Sequence, residues 1–127
     1  MNNARMYQYS IEQRLKIGVC THPDMAEVLV DSMLDSAAAE LNRLKMSHYL
    51  FSAQGNKGTT RANFTSRLAD EIVRLHEGRP PYRSGRSKKT EHAIEESYLK
   101  GLVEWVGGGD NRVMRVRITL YATLNPD

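Results

Sequence analysis

Two stretches of strict alternation, one near each end of the chain, limit the folds open to it. From Tyr7 to Val19 the odd positions carry Tyr7, Tyr9, Ile11, Leu15, Ile17 and Val19, with Gln13 as the one exception. The even positions carry Gln8, Ser10, Glu12, Arg14, Lys16 and Gly18. Met114, Val116, Ile118, Leu120, Ala122 and Leu124 alternate in the same way with Val113, Arg115, Arg117, Thr119, Tyr121 and Thr123. A period of two belongs to a strand with one face buried, and the first would reach about 43 Å at about 3.3 Å per residue. A lone strand leaves its backbone groups unsatisfied. The two strands are therefore expected to pair with each other, with another molecule, or both.

Between them the period changes. Pro23 and Asp24 suit the first turn of a helix, with Thr21 placed to cap it. Met25, Leu29, Met33, Ala37, Leu41 and Leu44 then recur at helical spacing, widened by Val28, Leu34 and Ala38, which predicts one helix from about Pro23 to Tyr49. Residues 52–58 have turn composition. Thr59 or Thr60 can cap a second helix whose inward face is Phe64, Leu68, Ile72 and Leu75 and whose stop is Gly78 before Pro80 and Pro81. Arg67, Glu71 and Arg74 on its other side have the spacing of surface ion pairs. Residues 90–106 place Ile94, Tyr98, Leu102 and Trp105 on a helical stripe, while 98–106 also alternates and fits a strand. Gly107, Gly108, Gly109 and Asp110 form the strongest turn signal.

These readings give an α+β class with a long N-terminal strand, two to three helices and a C-terminal strand. The order is β-α-α-α-β with a helix as the preferred reading of 98–106, or β-α-α-β-β if 98–106 is a strand. At 127 residues, 40% hydrophobic and 26% charged, the chain fits a single domain spanning 1–127, with a flexible basic loop at about 78–90. One cysteine, Cys20, excludes an intramolecular disulfide framework, and no Cys and His spacing suggests a structural zinc site. No stretch has the apolar length of a membrane span or the pattern of a signal peptide, so a cytoplasmic chain with no membrane partner is expected.

The formal charge of +3 is mild, but its distribution is not even. Arg79, Arg83, Arg86, Lys88 and Lys89 crowd one segment together with Tyr82, and no carboxylate interrupts them. That mixture suits phosphate contacts plus stacking on an exposed base; the competing reading is a solvated linker. Arg115 and Arg117 fall on the polar face of the last strand, Arg112 on its rim, and Arg14 and Lys16 on the polar face of the first. Pairing of the strands would gather them into one basic surface. Charge that discourages edge aggregation is the bland alternative.

Gly55-Asn56-Lys57-Gly58, between the two helices, resembles the GXXG loop of KH-type nucleic-acid-binding domains, a loop that clamps the nucleic-acid backbone. The order strand, helix, GXXG, helix is similar too, and the resemblance implies a phosphate contact at Lys57. It departs from that pattern in the length of the first helix and in Arg61, where an apolar residue is usual, so an ordinary interhelical turn is the preferred reading. Arg43 and His48 have the spacing of HEPN ribonucleases, without the usual polar neighbour at Leu44. His22, His48, His76 and His92 are scattered, and no nucleophile and base stand together.

The sequence thus predicts a small non-enzymatic nucleic-acid-binding protein with no cofactor and no metal. Its contacts would come from Arg79, Tyr82, Arg83, Arg86, Lys88, Lys89, Arg115, Arg117 and Lys57, with DNA and RNA equally open. The alternative is a homo-oligomeric interaction or assembly module of the kind carried by mobile elements, docking on an acidic protein. Long regular strands and the run Ala37-Ala38-Ala39 favour a homo-oligomer in either case.

Overall fold

A computed structural model describes residues 6–51, 58–78 and 103–124. Its elements are β1 (Met6–Lys16), α1 (Pro23–Arg43), β2 (Met46–Phe51), β3 (Gly58–Thr59), α2 (Arg61–Glu77), β4 (Val103–Val106) and β5 (Val113–Leu124). The class is α+β, with five antiparallel strands and two helices among the described residues.

The two terminal strands do pair with each other, over their full lengths, from Met6 opposite Thr123 to Lys16 opposite Val113. This makes β5 the centre of the sheet. Its second edge is shared: β4 pairs along 113–116 and β2 along 121–124. The period-two pattern then sorts β5 cleanly, with Met114, Val116, Ile118, Leu120 and Ala122 all buried under the helices. Each fully buried large apolar side chain in this layer, such as Met33, Leu41, Leu68, Ile72 or Ile118, contributes about 1.5–3 kcal/mol relative to exposure.

Helix α1 stops at Arg43, short of the expected Tyr49. Leu44 closes it with its amide on the Glu40 carbonyl, and Lys45 takes a left-handed φ of 59°, which turns the chain sharply. Residues 46–49, expected as the end of the helix, fall instead in β2, because the end of β5 offers them an unpaired edge. Of the turn expected over 52–58, residues 52–57 lie outside the described residues; on either side β2 and β3 pair antiparallel, with Leu50 opposite Thr59 and Phe51 opposite Gly58. The cap of α1 also shifts by one residue. The Asp24 amide donates to Nδ1 of His22 at 3.2 Å, so His22 does the work expected of Thr21.

The buried stripe of α1 is Ala26, Val30, Met33, Leu34, Ala37 and Leu41. Met25 and Val28, expected inside, are 58% and 68% exposed. The stripe is rotated from the sequence reading because α1 packs against α2 and the sheet together.

Helix α2 follows its expected plan. Thr60 accepts from the Asn63 amide, Phe64, Leu68 and Ile72 are buried, and Gly78 ends the helix at φ 69°. Arg61 fastens its start to α1: Nη2 donates to Asp35 Oδ1 at 2.7 Å and to the Asp31 carbonyl at 3.0 Å. The Asp35 carboxylate, and after it that of Asp31, to which Nε donates at 3.3 Å, raise the guanidinium pKa. Glu71 and Arg74 are not a surface pair as expected. Both are buried, and Arg74 donates from Nε and Nη2 to the two carboxylate oxygens at 2.5 and 2.8 Å. Burial of the pair demands such bidentate geometry, since a lone buried charge costs several kcal/mol.

Residues 103–106 are a strand, which corrects the preferred helical reading of 98–106. Val103 faces Val116 and Trp105 faces Met114, and the turn through Gly107, with φ 86°, joins β4 to β5. The Trp105 ring packs edge-on to His76, centroids 5.4 Å apart, with the Arg112 guanidinium 4.5 Å above it.

Candidate nucleic-acid interface

The alternation that buries one face of β5 turns its other residues away from the helices. On that opposite face the register sets Gln8 beside Tyr121, Ser10 beside Thr119, Glu12 beside Arg117 and Arg14 beside Arg115. Ser10 and Thr119 share a hydroxyl hydrogen bond of 2.9 Å, and Gln8 Nε2 donates to the Tyr121 hydroxyl at 3.4 Å. From β4, Glu104 joins the row next to Arg115. The predicted gathering of Arg14, Lys16, Arg115 and Arg117 on one sheet surface is therefore observed.

Two carboxylates moderate that surface. Arg14 Nε donates to Glu12 Oε2 at 3.3 Å, and Arg115 Nη2 bonds Glu104 Oε2. Arg117, opposite Glu12, and Lys16 are exposed. Arg112 is occupied elsewhere, stacked on Trp105 and donating from Nη1 to the Gly109 carbonyl at 2.9 Å. The sequence pointed to Glu12, which alternates in phase with Arg14. It hid Glu104, because a helical 98–106 would have carried that side chain away from the sheet.

Arg79, Tyr82, Arg83, Arg86, Lys88 and Lys89 lie outside the described residues, as does Lys57. Only Arg115 and Arg117 of the predicted contacts can be placed. The start of α2 is occupied by Thr60 as cap and by Arg61 on the two α1 carboxylates. Arg61, a departure from the KH-like pattern, thus has an interhelical role here.

Two of the histidines have structural partners among the described residues. His22 caps α1, and His76 Nδ1 lies 3.1 Å from the Ile72 carbonyl. Among the described residues no group of three or more His, Cys, Asp and Glu could hold a metal ion, and no helix is long and apolar enough to cross a membrane. In comparisons with known proteins, the chain matches no family model, and neither a curated protein nor a solved structure is significantly similar to it.

Proposed function

We propose that this protein binds nucleic acid without chemical catalysis, laying a phosphate backbone across the polar face of its sheet. The observation that carries this reading is the β1–β5 register, which collects Arg14, Lys16, Arg115 and Arg117 on one surface, where, among the described residues, Glu12 and Glu104 oppose them. Guanidinium groups grip phosphate oxygens bidentately, and the bonded Ser10–Thr119 hydroxyl pair has one O–H left to donate alongside. The cations and Tyr82 of 79–89 extend the contact by composition.

No base-reading element is evident on this face, so binding is expected to be tolerant of sequence and dominated by counterion release. Fluorescence anisotropy with labelled single-stranded DNA, duplex DNA and RNA across a salt series tests this. Affinity should fall steeply with salt, and Lys16→Ala with Arg117→Ala should lower the logarithmic salt slope by about 2, roughly one unit per lost phosphate contact. Alanine at Arg79, Arg83, Arg86, Lys88 and Lys89 should weaken binding further. If neither set of substitutions changes affinity, or no nucleic acid binds at low salt, the reading fails and an acidic protein becomes the better partner.

A further inference from the structure

We infer that the outer edge of β1 joins two copies of this chain, β1 pairing antiparallel with β1 of a second copy about a two-fold axis at Gln13. The sheet order places β1 at the rim, bonded to β5 on one side only. It runs eleven residues without proline or glycine. Strands that must stay single usually carry a proline, a bulge or a charge pointing inward. The helix-side positions of β1 are Tyr7, Tyr9, Ile11, Gln13 and Leu15, none charged.

The edge is complementary to itself in one register. Centred on Gln13, pairing sets Glu12 opposite Arg14 of the second copy, twice by symmetry, and Ile11 opposite Leu15. Centred one residue earlier it would oppose Glu12 to Glu12, and one residue later Arg14 to Arg14, both destabilising. Centred on Ile11 it would leave Glu12 and Arg14 facing Ser10 and Gln8.

Past Lys16 the chain turns, with the Val19 amide on the Lys16 carbonyl and Gly18 at φ 90°, so the ladder ends there. Ile17 and Val19 in that turn are 43% and 41% exposed, and Tyr7, at the end of β1 that the second copy brings to this corner, is 39% exposed. Adjoining that end is an apolar groove of about 450 Å³ lined by Cys20, Met25, Val28 and Leu29. Exposed apolar side chains thus meet exposed apolar side chains where the backbone edge ends. An axis perpendicular to the sheet keeps the polar faces of both copies on one side.

Dimerisation can be measured without nucleic acid, so this inference stands or falls apart from the binding reading. Sedimentation velocity should show a monomer–dimer equilibrium that shifts with protein concentration. Arg14→Glu should raise the dimer dissociation constant about ten- to thirtyfold, because two attractive pairs become two repulsive ones. The exchange Glu12→Arg with Arg14→Glu should restore it, and Ile17→Glu, in an exposed turn, should weaken the dimer while leaving the circular dichroism spectrum unchanged. Directly opposed antiparallel residues have Cα atoms about 4.5–5.5 Å apart, within disulfide reach. Under mild oxidation Gln13→Cys should therefore crosslink to its own copy and Ser10→Cys should not. A monomer at all concentrations, crosslinking at Ser10→Cys equal to that at Gln13→Cys, or an unchanged dissociation constant for Arg14→Glu overturns the inference.

Discussion

Arg14 and Arg115 stand directly opposite each other across the β1–β5 ladder, and each is held by a different carboxylate, Glu12 within β1 and Glu104 on β4. Like charges facing across a ladder repel. Here the two carboxylates bracket the pair, so two guanidiniums can be kept side by side on one surface.

Glu104 consequently restrains Arg115. Glu104→Gln should free that guanidinium and raise affinity for a nucleic acid by a few-fold at low salt, with a steeper salt dependence. The pair is part exposed, so stability should change by less than about 1 kcal/mol. Parallel anisotropy and urea titrations distinguish the two effects; unaltered binding would show that Arg115 touches no phosphate.

Arg61 ties the start of α2 to Asp31 and Asp35 of α1. Arg61→Met keeps the aliphatic stem and removes the bonds, and should cost about 1 kcal/mol, since the group is substantially exposed. A shift in urea midpoint with unchanged slope is the expected result. No shift would mean that packing alone sets the angle between the helices.

Lys45 is exposed and holds φ at 59°, a conformation that costs an L-residue about 1 kcal/mol or more and glycine little. Lys45→Gly should therefore stabilise the fold by a few tenths to about 1 kcal/mol, raising the thermal midpoint. A lower midpoint would show that the lysine side chain has a stabilising contact of its own.

Cys20 is buried at φ 61°, and burial pushes its thiol above the ordinary value of 9.0. Below that ordinary value both folded and unfolded thiols are neutral and the full stability is present. As pH rises past it the unfolded thiol ionises first, so stability is lost until the folded thiol follows. Cys20→Ala should flatten that alkaline loss relative to wild type in urea midpoints. Alkylation of the native thiol should be slow and accelerate with denaturant; rapid native alkylation would contradict its burial.

What could be read directly was whatever local pattern decides. The alternation in 7–19 and 113–124 identified β1 and β5 and their buried faces, because a strand with one wet side must alternate, although β1 ends at Lys16 where a turn over 17–20 takes over. Thr60, the Phe64, Leu68 and Ile72 stripe and Gly78 likewise defined α2 through capping and periodicity. The placement of Arg14, Lys16, Arg115 and Arg117 on a common side followed once the strands were paired.

Tertiary structure alone decided the rest. The stretch 46–49 continues the helical spacing of α1 closely enough to read as helix, and Val103–Val106 is too short for either period to win. Both become strands because β5 presents two unpaired edge segments whose backbone groups need partners, a demand made by residues distant in sequence. The same pairing brings Glu104 to Arg115, and helix packing buries the Glu71–Arg74 pair. These are long-range contacts, for which neither propensity nor spacing along the chain carries a signal.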